Sequence, residues 1–246
     1  MRDWGGTLRA AARLARIVAL VASTLARTVR AAGRELEGQC RTTLLASAAR
    51  RALEIHGLEV VMAGPPPRGP ALLVSNHLSY LDPLVFLSRS PCVPISKAEL
   101  ASWPLFGTVA RRTGVLFVER SSVGSRLAVM RAAERVLRDG GVILNFPEGT
   151  TTDGSTVLRF RKGLFEVARA LRIQVVPAAL RYKPLHLAWT GETTFLPHYL
   201  RFATLPHGTV ELAFGDPLPS QAYPSAERLA GAARSCTLSL LENRTA

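Results

Sequence analysis

Residues 71–82 read ALLVSNHLSYLD, a short apolar run that leads into a histidine. The run from Ala71 to Ser75 has the length and composition of a buried strand, and His77 follows it closely. Because α/β proteins bind ligands at the carboxyl ends of their strands, this position predicts a functional side chain. Asp82 comes five residues after His77, so it can reach one imidazole nitrogen across the first turn of a helix. Such a carboxylate fixes the tautomer of His77 and leaves the other nitrogen as a general base.

The same residues also allow a purely structural interpretation, in which Asn76 caps a helix and His77 is a satisfied turn residue. The sequence contains no Gly-x-Ser-x-Gly motif, so no serine nucleophile of that kind accompanies the histidine. A base without a protein nucleophile favours direct deprotonation of a substrate hydroxyl.

Around this stretch, short apolar runs alternate with longer segments of helical period. Strands are predicted at 57–63, 71–75, 92–96, 115–118, 142–146, 174–180 and 209–214, and helices at 80–88, 98–112, 125–138, 163–171 and 226–241. The alternation predicts an α/β fold with a mixed, largely parallel sheet flanked by helices. Residues 184–207 fit a helix and a loop equally well.

Charged residues follow two further predicted strands. Glu119 and Arg120 come after the strand at 115–118, and Glu148 comes after the strand at 142–146. The guanidinium of Arg120 suits a phosphate, whereas Glu148 either accepts a hydrogen bond from a substrate hydroxyl or anchors its loop. The structural alternatives are an ion pair of Glu119 with Arg120 and an ordinary turn.

The composition favours a folded domain with an anionic partner. The chain has 246 residues, of which 48% are hydrophobic and 20% charged, which argues against disorder. Its three cysteines, Cys40, Cys92 and Cys236, are too few and too scattered for a disulfide framework or a zinc cluster, so no metal site is predicted. The net charge of +13 indicates nucleic acid, a lipid surface or a charged substrate. Nucleic acid is the least favoured partner, because aromatic residues make up 7% of the chain and no recognition module is visible.

The N-terminal segment, residues 1–51, is predicted to form basic amphipathic helices that precede a second domain at 52–246. On a helix, its arginines share one stripe and its apolar residues the opposite side. The stripe comprises Arg2, Arg9, Arg13, Arg16, Arg27, Arg30 and Arg34, and the apolar side comprises Leu14, Val18, Val21, Leu25 and Val29. This pattern predicts peripheral association with an anionic membrane surface, since no apolar run approaches the ~18 residues that span a bilayer. The alternative is a helix packed on its own domain with a solvated basic face.

Four sequence blocks occur in the order in which one enzyme family has them. They are Asn-His-x-x-x-x-Asp at 76–82, a Gly-to-Arg stretch at 114–120, Phe-Pro-Glu-Gly-Thr at 146–150 and an apolar strand with a proline at 175–178. With these blocks the chain resembles the glycerolipid acyltransferase family, whose bacterial archetype is 1-acyl-glycerol-3-phosphate acyltransferase. The resemblance covers roughly residues 55–220.

The resemblance implies a glycerol-3-phosphate acyltransferase-like fold and the transfer of a fatty acyl chain from acyl-CoA or acyl carrier protein to the free hydroxyl of a lysolipid. His77 would be the general base and Asp82 would orient it, with no cofactor beyond the acyl donor. The implied substrate-binding residues are Asn76, Lys97, Glu119, Arg120, Glu148, Gly149 and Thr150. The implied location is the cytoplasmic face of a bacterial inner membrane, with peripheral or monotopic attachment.

One departure from the family pattern concerns the acceptor. Many members that use lysophosphatidic acid continue Glu-Gly-Thr with an arginine that contributes to phosphate binding, whereas here Thr151 and Thr152 follow. In this extension the chain resembles the lyso-ornithine lipid acyltransferase branch of the family. Arg120 or the basic residues at 159–162 can still supply positive charge for a phosphate. The resemblance therefore implies 1-acyl-sn-glycerol-3-phosphate as acceptor, with lyso-ornithine lipid as the alternative. A lipid-binding protein without catalysis is a third, remote interpretation.

Overall fold

The computed structural model describes residues 4–31, 38–184, 187–189 and 194–243. Its helices are α1 (Trp4–Ala31), α2 (Gly38–His56), α3 (Asp82–Arg89), α4 (Phe106–Arg112), α5 (Val123–Arg138), α6 (Gly163–Ala170), α7 (Phe195–Thr204) and α8 (Ala226–Glu242). Its strands are β1 (Leu58–Ala63), β2 (Ala71–Ser75), β3 (Val93–Lys97), β4 (Leu116–Val118), β5 (Val142–Asn145), β6 (Gln174–Lys183), β7 (Gly208–Phe214) and β8 (Leu218–Pro219). Short 3-10 helices cover Ala98–Ser102 and Ser220–Ala222.

The strands form one sheet in the order β1-β7-β6-β2-β5-β3-β4, and β8 pairs with the start of β6. β6 runs antiparallel to β7 and β8, while the other neighbouring pairs are parallel. The structure thus confirms the predicted mixed, largely parallel sheet.

Helices cover both faces of the sheet, so the central strand β2 is buried along its whole length. Successive side chains of a strand point to opposite faces. Ala71 and Leu73 accordingly pack in a core with α2, α3 and α7, and Leu72 and Val74 pack in a second core with α5, α6 and α8. A strand buried on both faces reads as a continuous apolar run, which explains why β2 was recognisable from the sequence.

The topology brings the predicted site segments together. β2, β5, β3 and β4 are consecutive neighbours in the sheet and all run in the same direction. Their carboxyl ends therefore share one edge, where α/β proteins bind ligands. The segments that leave this edge hold His77, Glu148, Lys97 and Arg120.

Helix α1 packs against α2, α4 and α7, and two of its arginines bind the end of α7. Arg9 is half-buried and donates to the carbonyl of Thr204 at 2.5 Å. Arg13 is 7% exposed, and its guanidinium donates hydrogen bonds to the carbonyls of Ala203 (3.2 Å), Leu205 and Pro206 (3.0 Å). These carbonyls lie at the end of α7, where a helix leaves acceptors without partners. The prediction that the whole arginine stripe faces outward is therefore wrong for Arg13 and only partly right for Arg9.

The described residues contain no helix long and apolar enough to cross a membrane. The predicted domain boundary after residue 51 falls inside α2, which continues to His56. Arg2 and Arg34 of the predicted stripe lie outside the described residues.

Candidate active site

His77 and Asp82 are joined by a short hydrogen bond. The distance from Nδ1 of His77 to Oδ2 of Asp82 is 2.7 Å. Because an ionised carboxylate can only accept, Nδ1 carries the proton and Nε2 has a free lone pair. In the part of the chain that the structure describes, no hydrogen bond engages Nε2. The predicted pair is thus present, and the ring is oriented as a general base requires.

Asp82 is fully buried and holds several groups besides the imidazole. Its Oδ2 also accepts from the backbone N–H groups of Leu78 (2.6 Å) and Ser79 (2.9 Å). Its Oδ1 accepts from the hydroxyl of Tyr182 at 2.7 Å, and burial together with this carboxylate raises the pKa of Tyr182 well above its usual value. Charge-assisted hydrogen bonds of this kind fix a buried carboxylate firmly. Asp82 therefore sets the position of the turn that carries His77.

The imidazole of His77 is also held by an aromatic ring. It stacks on Phe146, with ring centroids 4.2 Å apart and planes at 16°. The His77 side chain is 14% exposed, so one edge of the ring is open to a substrate. Phe146 follows β5 directly, which explains why a residue from the Phe-Pro-Glu-Gly-Thr block meets the histidine of the first block.

Glu148 holds the backbone of His77. Its Oε1 accepts from the N–H of His77 (2.7 Å) and its Oε2 from the N–H of Leu158 (2.8 Å). On the other side, the N–H of Thr152 donates to the carbonyl of His77 at 2.9 Å. Glu148 is 3% exposed, and this burial raises its pKa although the two hydrogen bonds act in the opposite direction. Of the two roles that the sequence left open for Glu148, the structure shows the loop anchor.

Asn76 does not line the site. It is 1% exposed, and its amide exchanges two hydrogen bonds with the backbone of Leu180, one accepted at 2.8 Å and one donated at 3.0 Å. Both functions of the amide are thus used to hold the end of β2 against β6. This is a correction to the sequence-based expectation, which grouped Asn76 with the substrate-binding residues.

Arg120 and Lys97, two of the remaining predicted residues, form the cationic part of the same edge. Arg120 is half-buried, and its guanidinium donates to the carbonyl of Gly149. Burial is the main cause that lowers the pKa of Arg120, and the neighbouring Arg161 contributes in the same direction. Lys97 is exposed and pairs with Glu99 at 2.9 Å.

Glu119 and Thr150 lie at the surface beside this cationic part. Both are exposed. The carboxylate of Glu119 accepts a hydrogen bond from the hydroxyl of Ser121 (3.2 Å). Among the residues that the structure describes, no salt bridge joins Glu119 to Arg120. The suggestion that Glu119 neutralises Arg120 is therefore not what the structure shows.

Two residues of the site lie outside the four sequence blocks. Tyr182 lies two residues beyond the end predicted for its strand, and it reaches the site through a tertiary contact that a single sequence does not reveal. Arg161 is one of the basic residues at 159–162 that the sequence offers as a source of positive charge, and the structure shows that it is the one that meets Gly149. No group of three or more His, Cys, Asp or Glu side chains within the described ranges is placed to hold a metal ion.

Comparisons with known proteins agree with this geometry. A family model described as acyltransferase matches residues 52–181. The lyso-ornithine lipid O-acyltransferase of Pseudomonas aeruginosa is 35% identical over 187 residues, which cover 74% of this chain and 72% of that protein. The 1-acyl-sn-glycerol-3-phosphate acyltransferase of Neisseria gonorrhoeae is 34% identical over 155 residues, or 63% of this chain and 59% of that one.

A solved structure has the same fold. It is the 1-acyl-sn-glycerophosphate (LPA) acyltransferase, PlsC, from Thermotoga maritima, which superposes with a TM-score of 0.78 over 100% of this chain and 99% of that one. At 22% sequence identity, this likeness concerns the fold alone.

Proposed function

The chain belongs to the acyltransferase family, and on that premise we propose that it moves a fatty acyl group from a thioester donor to the free hydroxyl of a lysolipid. One observation carries the proposal: the imidazole of His77 is held by Asp82 at Nδ1, with Nε2 directed away from that bond. A base fixed in this way acts on a hydroxyl that is bound beside it.

In the proposed reaction, Nε2 of His77 takes the hydroxyl proton as the hydroxyl oxygen attacks the thioester carbonyl. The carbon–sulfur bond of the resulting tetrahedral intermediate breaks, and the leaving thiolate takes the proton back from the imidazolium. The products are an ester and a free thiol. The carboxylate of Asp82 stabilises the transient imidazolium, so no acyl-enzyme is required. Acyl-CoA or acyl carrier protein is the proposed donor, with no further cofactor.

The first acceptor that we propose is lysophosphatidic acid, which would give phosphatidic acid. The guanidinium of Arg120 supports this acceptor, because such a group suits a phosphate. It binds the carbonyl of Gly149, and the preceding residue, Glu148, binds the N–H of His77. Lyso-ornithine lipid is a second candidate. It is favoured by the name of the Pseudomonas aeruginosa relative and by Thr151, which stands where many phosphate-binding members have an arginine.

A competition assay separates the two acceptors. One labelled long-chain acyl thioester is offered to the purified protein with equal amounts of lysophosphatidic acid and lyso-ornithine lipid, and His77→Ala serves as the blank. We expect label chiefly in phosphatidic acid. Label chiefly in ornithine lipid would move the assignment to the second candidate, and label in neither product would contradict both.

We also propose that α1 rests on an anionic membrane surface. Its outward face carries exposed apolar side chains, and the adjoining helices α4 and α7 add others. These side chains are Trp4, Leu8, Leu14, Val18 and Val29 on α1, Phe106 on α4, and Leu196 and Leu200 on α7. Exposed arginines, among them Arg16, Arg27 and Arg30, lie on the same helix and suit anionic headgroups. Since the proposed donors occur in the cytoplasm, the cytoplasmic face of the inner membrane is the proposed location.

Polar substitutions on the outward face of α1 test the membrane proposal without removing the helix. The double variant Leu8→Gln/Val18→Gln replaces side chains that are 71% and 51% exposed. It is expected to weaken sedimentation with anionic liposomes by about tenfold or more, because each apolar side chain buried in lipid contributes ~1.5–3 kcal/mol. Ser23→Gln, at an exposed and already polar position, is the matched control. Equal sedimentation of the double variant and the control would contradict the proposal.

A further inference from the structure

Arg161 lies against the glycine that Arg120 also contacts. A Cβ atom on Gly149 would lie 2.8 Å from Cζ and 2.9 Å from Nε of Arg161, so the guanidinium occupies the space that a side chain would need. Gly149 has a φ of +76°, and the N–H of Arg161 donates to the carbonyl of Pro147 at 3.0 Å. Because the guanidinium of Arg120 donates to the carbonyl of Gly149, the two cations flank one residue.

Neither of these two arginines has an acidic partner in an ion pair of the described residues. Among the salt bridges of the described ranges, none includes Arg120 or Arg161. The charge of Glu99 also acts on Arg120 and raises its pKa, but this carboxylate is paired with Lys97 at 2.9 Å. Two guanidinium groups so placed repel each other, and an anion between them removes the repulsion.

We propose that Arg161 and Arg120 together bind an oxyanion of the acceptor's headgroup, with Arg161 as the second cation of the site. This inference rests on the proposed function and names the part of the protein that recognises the acceptor. A phosphomonoester carries a charge of about −1.5 to −2 at neutral pH, which two guanidinium groups match. The Phe-Pro-Glu-Gly-Thr block is followed here by Thr151, where many family members that use lysophosphatidic acid have an arginine. Arg161 supplies the positive charge from a later position in the chain.

The position of the two arginines points to the acceptor rather than the donor. Glu148 directly precedes Gly149 and holds the N–H of His77 at 2.7 Å, so the arginines adjoin the backbone that carries the base. In lysophosphatidic acid the reacting hydroxyl is on the carbon next to the one that bears the phosphate. In acyl-CoA the phosphates are at the far end of the pantetheine arm from the thioester. A charge bound this close to the base therefore belongs to the acceptor.

Steady-state kinetics of Arg161→Gln test the inference, with Arg131→Gln, at an exposed arginine of α5, as the control. We expect the KM for lysophosphatidic acid to rise about 10- to 100-fold, because a charge-assisted hydrogen bond is lost, while kcat and the KM for acyl-CoA change little. Arg161→Lys should recover part of the loss, since it restores a charge without the fork of donors. A rise in the KM for acyl-CoA alone, or an equal effect of Arg131→Gln, would overturn the assignment.

A binding measurement distinguishes failure of this inference from failure of the proposed function. In the His77→Ala background, retention of labelled lysophosphatidic acid, lyso-ornithine lipid and uncharged monoacylglycerol is compared with and without Arg161→Gln. We expect the substitution to weaken retention of the phosphate-bearing lipid most and of monoacylglycerol least. A larger loss for lyso-ornithine lipid supports the same oxyanion site with a carboxylate as its ligand. Equal loss for all three lipids, or no loss for any, overturns the site whether or not the protein turns them over.

Discussion

Replacement of His77 by alanine is expected to lower kcat for acyl transfer by about 10²- to 10⁴-fold, the usual contribution of a positioned general base. The reason is that the hydroxyl must lose its proton as it attacks, and within the described site no other side chain is bound and oriented as the imidazole is. The measurement is the rate of ester formation from a labelled acyl thioester and a saturating lysolipid. Because the His77 side chain makes one hydrogen bond and one ring contact, the variant should keep its fold, which its thermal unfolding midpoint checks.

His207→Ala is the matched control for this loss of activity. His207 is an exposed histidine just before β7 and lies outside the proposed site. Its substitution should leave turnover and the unfolding midpoint unchanged. If the purified His77→Ala protein kept its activity, the proposed mechanism would be wrong. Liposome binding by the unaltered protein, without turnover of any lysolipid, would instead support the interpretation of the chain as a lipid-binding protein without catalysis.

Those parts of the fold that depend on local pattern were readable from the sequence. The strand predicted at 71–75 coincides with β2, because a doubly buried strand is a continuous apolar run between turn residues. The helix predicted from residue 125 begins at Val123, where the Ser122 side chain accepts from the N–H of Ser125 at 3.1 Å. The helix predicted at 98–112, with a break near Pro104 and Gly107, is divided at that place into a 3-10 helix and α4. In these cases the signal lies within a few residues of the element.

Features that depend on distant contacts were missed. Helix α7 lies within 184–207, where no pattern was decisive, and its carbonyls bind Arg13 from the other end of the chain. Strand β6 continues to Lys183, beyond its predicted end at Leu180, because its last residues pair with β7. That extension places Tyr182 against Asp82, so the missing strand end and the missing site residue have one cause.

For the site, too, local contacts could be predicted from the sequence and distant contacts could not. Spacing alone was enough to join His77 to Asp82, because both belong to one turn. It was not enough to assign Asn76 or Glu148. Both are short polar residues near the site, and only the sheet shows that their polar atoms are occupied by the backbone of Leu180, His77 and Leu158. A polar residue next to a catalytic one can thus hold the backbone instead of binding the substrate. Which of the two it does depends on whether buried backbone groups need its polar atoms as hydrogen-bond partners.

The second large effect is expected for Asp82→Asn, which should lower kcat by about 10²- to 10⁴-fold. An asparagine has nearly the shape of the aspartate but does not stabilise the imidazolium that forms during proton transfer. Its amide can also turn a donor toward Nδ1 of His77 and so favour the wrong tautomer. Stability should fall by about 1–3 kcal/mol, because at least one of the buried hydrogen bonds of Asp82 is weakened. Urea unfolding and the rate of ester formation measure the two effects separately.

Tyr182→Phe shows whether the effect of Asp82→Asn is chemical or structural. It removes the hydroxyl that donates to Oδ1 of Asp82 at 2.7 Å, and it leaves in place the carboxylate charge and the hydrogen bond that Oδ2 accepts from Nδ1 of His77. The lost hydrogen bond to a charged group should reduce stability by about 1.5–3 kcal/mol, comparable to the loss in Asp82→Asn. If Asp82 acts through its charge on His77, kcat should fall much less in Tyr182→Phe than in Asp82→Asn. Equal losses of kcat at equal losses of stability would instead mean that Asp82 serves only to hold the turn.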